Sequence, residues 1–278
     1  MRAAGPRPRP QRPASWTSHG AARCARVPRA SAVDALHSAP LGRFLEISIG
    51  TPVIRESLEF YESLGFVQAA VGEAWSHPYA VVTDGHLFIG LHGRELPSPS
   101  LTFVLPELQL GVSRLKTRGV AFEAEHFGDE VFNQAQLRDP GGLSVTLLEA
   151  RTFSPPQLDA PIESACGYFS ELGIPARAAD EARTFWESIG FVALDEEAAP
   201  FPRTPLVSDG VDLALYRTRA LRHPVLTFED SAMPQRLTHL RARGLQVSDE
   251  MPDSLDESGN GVLIAPEGTR LLLLTAAD

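Results

Sequence analysis

The chain has 278 residues, is 43% hydrophobic and 22% charged, and has only two cysteines, Cys24 and Cys166. This is enough sequence for one large domain or two ordinary ones with real cores, and the cysteine count excludes a disulfide scaffold or a thiolate zinc site. Residues 1–33 carry seven Arg and no acid, whereas residues 41–278 carry 18 Arg and Lys against 34 Asp and Glu, a net −16 that speaks against a nucleic-acid partner.

No apolar run approaches the roughly 18 residues of a spanning helix, so no membrane partner is expected. The first 42 residues are rich in Pro, Arg, Ala and Ser without apolar periodicity, and they read as a disordered extension. An Arg-rich organelle transit peptide is the other reading of this stretch, although Pro6, Pro8, Pro10 and Pro13 would break its amphipathic helix.

From residue 43 the elements follow in order. RFLEISIG alternates and predicts a strand. PVIRESLEFYESLG, with Pro52 near its start and Gly65 at its stop, predicts a helix. YAVVT and HLFIGLH predict two strands about a two-residue Asp84-Gly85 turn. SLTFVL then restarts the pattern, LQLGVSRLKTRG predicts a second helix ending at Gly119, and FNQAQLRDPGGLSVTLLEA predicts a hairpin turning at Pro140-Gly141-Gly142.

The same text then recurs. FYESLGF at 60–66 returns as FWESIGF at 185–191, and Asp84-Gly85 returns as Asp209-Gly210. Leu101-Thr102-Phe103 returns as Leu226-Thr227-Phe228, Arg118-Gly119 as Arg243-Gly244, and Pro140 as Pro266. The offset is 125 residues at each match but the last, where it is 126. A tandem duplication follows, with units over 43–150 and 164–278 and a Pro-containing linker over 151–163. Each unit holds two strand–helix–strands modules. The aromatic pairs Phe60-Tyr61 and Phe185-Trp186 are expected to pack each helix on its sheet.

This order, with the FYESLGF and FWESIGF joints, the Asp-Gly hairpins and the closing RDPGGLSVTLLE, resembles the vicinal oxygen chelate superfamily of glyoxalases, bleomycin-resistance proteins and extradiol dioxygenases. The resemblance implies an α+β fold: four βαβββ modules form two fused domains, each a curved mixed sheet around a cleft with helices outside. It also implies divalent-metal ligands at four strand positions per domain. Carried over, these are Glu46, Gly90, Ser100 and Thr146 in the first unit, and Glu171, Ala214, Val225 and Leu272 in the second. One carboxylate per cleft falls short of the three ligands a catalytic metal needs. The expectation is therefore no cofactor, with a divalent metal as the alternative, held by a shifted set of Glu46, His92 and His126.

Strand parity places Ser48 beside Glu46, and His86, Phe88 and His92 beside Gly90, with Leu45, Ile47 and Ile49 on the opposite face. The expected ligand-binding residues are Glu46, Ser48, Phe88, His92, Ser100, Thr102, Glu171 and Tyr216. Two roles stay open for the carboxylates. They anchor a ligand's amine or hydroxyl, with Glu46 as candidate general base, or they are structural groups bonded to backbone or Arg. The expected function is binding of a small organic molecule, as in bleomycin resistance. The alternative is a lyase, isomerase or dioxygenase. The protein is expected to be cytoplasmic, a monomer or homodimer, with the first unit the richer in cleft polar groups.

Overall fold

The computed structural model describes residues 40–71, 75–128, 132–150, 162–248 and 250–276. Most of the expected N-terminal extension (1–39) and of the linker (151–161) lies outside the described residues.

The first unit contains β1 (Arg43–Gly50), α1 (Ile54–Ser63), β2 (Val67–Ala69), β3 (Tyr79–Thr83) and β4 (Phe88–His92), followed by β5 (Ser100–Leu105), α2 (Leu108–Thr117), β6 (Phe122–His126), β7 (Gln134–Arg138) and β8 (Ser144–Glu149). They form one mixed eight-stranded sheet, ordered β2-β3-β4-β1-β5-β8-β7-β6, in which two modules meet where β1 and β5 pair antiparallel. The second unit contains β9 (Tyr168–Pro175), α3 (Ala179–Ser188), β10 (Val192–Ala193), β11 (Arg203–Val207) and β12 (Leu213–Tyr216), then β13 (Val225–Asp230), α4 (Met233–Ala242), β14 (Gly261–Ile264) and β15 (Arg270–Thr275). Its seven-stranded sheet runs β10-β11-β12-β9-β13-β15-β14. The α+β architecture read from the sequence is thus present, with one departure. The fourth module's strand after its helix is reduced to a single bridge, Ser248 to Val262.

Other sequence expectations shift locally. The Asp84-Gly85 turn spans four residues, because the Asp84 carboxylate takes the N–H groups of His86 and Leu87 and holds both out of the strands. A bulge at Leu45 makes Phe44, rather than Leu45, share the core face with Ile47; Phe44 pairs with Phe103 there. His126 lies at the end of the edge strand β6.

The repeated heptad encodes a helix stop with a specific geometry. Gly65 and Gly190 have φ of 91° and 106°, a conformation that costs glycine little. The N–H of Phe66 reaches back to the Tyr61 carbonyl at 3.1 Å and that of Gly65 to Glu62 at 2.9 Å; Phe191–Trp186 and Gly190–Glu187 repeat this at 3.0 and 3.2 Å. The two ends of each stop then pack edge to face, with ring centroids 5.6 Å apart for Tyr61–Phe66 and 5.0 Å for Trp186–Phe191.

These aromatics also join the units. Tyr61 and Trp186 are fully buried, and each spends its polar atom on the last hairpin turn of the other unit. The Tyr61 hydroxyl donates to Glu267 Oε1 at 3.1 Å, beside a 2.7 Å bond from Ser57 Oγ to Oε2. The Trp186 indole N–H donates to Asp139 Oδ2 at 3.2 Å. One apolar cluster runs through both units, from Ile47 and Leu147 to Leu172 and Leu273, and Leu41 joins it ahead of β1.

Tyr61→Phe keeps the ring and removes the bond across the units, so it is expected to cost roughly 1.5 kcal/mol in urea unfolding of the whole chain. Its cost should shrink in a Glu267→Ala background by at least about 0.5 kcal/mol. Strict additivity would show that the bond contributes nothing.

Candidate functional site

The face of each sheet away from the common core carries the predicted cleft residues. In the first unit Glu46 is opposite Thr102, Ser48 opposite both Gly90 and Ser100, and Thr102 opposite Thr146. In the second unit Glu171 pairs with Thr227, and Gly173 with Ala214 and Val225. All eight positions carried over from the family resemblance therefore face one cleft or the other. His86 does not. It sits in the β3–β4 turn and stacks on Tyr168, ring centroids 5.2 Å apart.

Glu46 is 1% exposed and organises the first cleft. Ser48 Oγ donates to its Oε1 at 2.8 Å, His92 Nε2 lies 2.9 Å from the same oxygen, and the Tyr79 hydroxyl donates to Oε2. Ser48 in turn bonds the Thr102 hydroxyl at 2.7 Å. His77 Nε2 lies 2.9 Å from His92 Nδ1, so the imidazoles extend the network outward from the carboxylate. Burial, Arg94 and His92 lower the pKa of half-buried His77. Each of these two contacts holds one proton, and the tautomer of each ring sets which nitrogen donates it. Trp75 stands against His77 and His92, both at 5.3 Å between centroids, and against Phe132 at 5.5 Å, with the Arg94 guanidinium 5.6 Å from its ring. Phe88 is half-buried on the same strand face.

His77, Tyr79 and Trp75 were not singled out in the sequence. The available signal was register: Tyr79 pairs with His92 across β3 and β4, which puts both on the Glu46 face.

The second cleft has the same plan and a different filling. Tyr216 stands where His92 stands, and Arg203, its partner in register, stands where Tyr79 stands. Arg203 Nη1 lies 2.6 Å from Glu171 Oε1, and the Tyr216 hydroxyl donates to the same oxygen at 2.8 Å while meeting Thr227 Oγ1 at 2.7 Å. Burial raises the Glu171 pKa and the adjacent Arg203 charge opposes that rise. Phe201, Ala214, Tyr216, Val225, Met251, Leu255, Val262 and Leu272 then pack together over this face as a second apolar cluster. Tyr216 is thus part of a filled interior rather than a cleft wall.

Two glycines decide the difference. A Cβ on Gly90 would sit 2.2 Å from the Glu46 carboxyl atoms, so Glu46 lies across β4 only because position 90 has no side chain. The second unit has Ala214 there, and Glu171 turns to Arg203 instead. Conversely, a Cβ on Gly173 would sit 2.2 Å from the Tyr216 ring. The first unit has Ser48 there, which matches an imidazole at 92 rather than a phenol.

Neither a family model nor a curated protein matches the sequence. Solved structures do match. A catechol 2,3-dioxygenase superposes at a TM-score of 0.54 with 15% identity, over 84% of this chain and 88% of its own. The homoprotocatechuate 2,3-dioxygenase of Brevibacterium fuscum, bound to 3,4-dihydroxyphenylacetate, gives 0.55 and 13%, over 85% and 81%. A fusion of a xylose isomerase-like barrel with a 4-hydroxyphenylpyruvate dioxygenase gives 0.51 and 15%, over 85% of this chain and 49% of that one. The chain carries the vicinal oxygen chelate fold. Because each match spans most of residues 40–276, the likeness extends to the tandem arrangement of both units.

The expectation of a cleft without a cofactor is corrected by these neighbours. The catechol and homoprotocatechuate dioxygenases among them use a catalytic iron or manganese ion, so the lack of a cofactor is not assigned to this chain. The described residues nonetheless do not supply the ligands for such an ion. The carried-over positions hold one carboxylate each, and His92 has both ring nitrogens engaged. Among the described residues no three His, Cys, Asp or Glu side chains are grouped to hold a metal. The shifted Glu46–His92–His126 set is not assembled, because β5, β8 and β7 separate β1 from the exposed His126 on β6. Nor is any helix among the described residues long and apolar enough to cross a membrane.

Burial, reinforced by Glu46, Glu171 and Glu267 respectively, raises the pKa of Tyr79, Tyr216 and Tyr61. A folded-state pKa above the ordinary value of about 10 means that their contribution to stability is complete below pH ~10 and is lost as pH rises beyond it. Absorbance titration at alkaline pH should show three of the four tyrosines ionising only with cooperative unfolding, and Tyr79→Phe should leave two. Gly90→Ala should cost about 1–3 kcal/mol by displacing the Glu46 side chain, measured by urea unfolding beside the reciprocal Ala214→Gly. An unchanged midpoint would mean that Glu46 does not depend on the open space at 90.

Proposed function

We propose that the first unit's cleft binds a small planar organic molecule through a hydroxyl or amine donated to Glu46, while the second unit serves as a closed support. The observation that carries this reading is the opposite treatment of two equivalent carboxylates. Glu171 is matched by an Arg and sealed under apolar side chains. Glu46 is met by two hydroxyls and an imidazole, with no Arg or Lys on it, and is flanked by rings, with Phe132 beside Trp75 still 51% exposed. Aromatic walls around a few convergent polar groups suit small-molecule sites. The ligand seen in the homoprotocatechuate enzyme, 3,4-dihydroxyphenylacetate, has that chemistry: a flat ring with hydroxyl donors.

A second reading rests on the unbroken chain from Glu46 through His92 to His77, with both links at 2.9 Å. A substrate donor replacing Tyr79 or Ser48 would give its proton to Glu46, whose carboxylate the imidazole chain holds in place. That is general-base chemistry of the kind an isomerase or lyase uses. His77 and His92 would act as positioning groups and Glu46 as the base.

The test uses the full chain and three probes: catechol, 3,4-dihydroxyphenylacetate and benzylamine. Trp75 fluorescence reports binding, with Trp75→Phe as the blank. At least one probe should bind saturably. Glu46→Gln should weaken it about tenfold, the scale of one charge-assisted bond, and Glu171→Gln should leave it within twofold. Equal losses in both variants, or no response to any probe, would defeat the binding reading. Tyr79→Phe, which keeps the ring, guards against a misfolded Glu46 variant.

A further inference from the structure

Between the units, away from both clefts, a cavity of about 560 Å³ opens where the loop before β5 meets the loop before β13. Pro97, Ser98 and Pro99 come from the first loop and Arg222, His223 and Pro224 from the second. The Asp139–Leu143 turn of the first unit and Ile174–Ala178 of the second complete it. The cavity brings together three basic side chains: Arg177, Arg222 and His223.

Residues 41–278 carry a net −16, and several arginines elsewhere are ion-paired, as Arg203 is with Glu171 and Glu197, and Arg236 with Glu163 and Asp230. Arg177 and His223 have no hydrogen-bond or ion-pair partner among the described residues, and Arg222 uses only its Nε, on the Arg219 carbonyl at 3.3 Å. The cavity's one acid, Asp139, is already committed. Its Oδ1 takes the Leu143 N–H at 2.7 Å and its Oδ2 the Trp186 N–H at 3.2 Å, and burial raises its pKa. Asp180 and Glu181, at the start of α3, line an adjoining surface recess that shares Asp139 and Pro140 with the cavity, but not the cavity itself. Unmatched cations converging on a walled recess hold a local positive potential against the negative field of the whole body. Guanidinium forks fit the oxygens of a carboxylate or phosphate two at a time. The volume lies within the range of small-molecule pockets.

We propose that this inter-unit cavity is a binding site for a small organic anion, held through a carboxylate or phosphate group by Arg177, Arg222 and His223. The site is independent of the Glu46 cleft. A molecule bound there would bridge the two units beside the Trp186–Asp139 bond.

The full chain is titrated calorimetrically at low ionic strength with citrate and with pyrophosphate, against potassium chloride of matched ionic strength. At least one anion should bind with one equivalent per chain. The double variant Arg177→Gln/Arg222→Gln should weaken it at least tenfold. Arg114→Gln/Arg243→Gln, which removes the same charge from exposed positions elsewhere, should change it less than twofold. Binding of pyrophosphate alone identifies a phosphate site, and binding of citrate alone a carboxylate site. Heats no larger than those with chloride, or equal losses in the two double variants, overturn the proposal. All four arginines are exposed, so folding of the variants is checked directly by circular dichroism.

Discussion

The architecture depends on an exchange of aromatic side chains between two copies of one unit. A sheet with helices on one face has to bury that face, and here each unit is the cover for the other. Tyr61 and Trp186 make the exchange specific. Both lie in the last turn of the first helix of their unit, and both send one polar atom to the last hairpin turn of the opposite unit. A buried N–H or O–H is costly without a partner, so these two bonds define one relative position of the units. The helix stop that repeats as FYESLGF and FWESIGF fixes where each ring stands.

With the helix-covered faces committed to one another, the opposite faces are left to diverge. They have done so through few substitutions on one scaffold. Gly90 lets Glu46 lie toward β4, where His92 and Tyr79 meet it; Gly173 lets Tyr216 lie toward β9, where it closes over Glu171 with Arg203. Each arrangement excludes the other sterically, because the side chain that fills the space in one unit occupies the position that must be bare in the other. The reduced fourth module completes the closure. Beyond the Ser248 bridge, Met251 and Leu255 are buried over the second cleft. One unit retains polar groups behind an aromatic wall, and the other has become core.

The fold was largely legible in the sequence. A constant offset of about 125 residues, glycines at helix stops and alternating strands are local signals, and each survived into the structure. The inward positions of Glu46, Ser48, Ser100, Thr102 and Thr146 were also legible, since parity fixes the face of a regular strand. It failed for Leu45, where a bulge inserts an unpaired residue, and for His86, which the Asp84 carboxylate holds in a turn. Neither leaves a periodic trace.

By itself, then, the sequence determined the duplication, the module order, the helix stops and the pair of inward carboxylates, because these depend on neighbours a few residues apart or on a repeat. Only the tertiary structure decided what each carboxylate meets. His77, Tyr79 and His92 join Glu46 through pairing of β3, β4 and β1, and Arg203 reaches Glu171 across β11, β12 and β9. Only the tertiary structure brought Arg177 and Arg222 to one recess from two separate loops. Contacts of this kind are set by strand register and unit docking, and a linear pattern of residue types does not encode either distance.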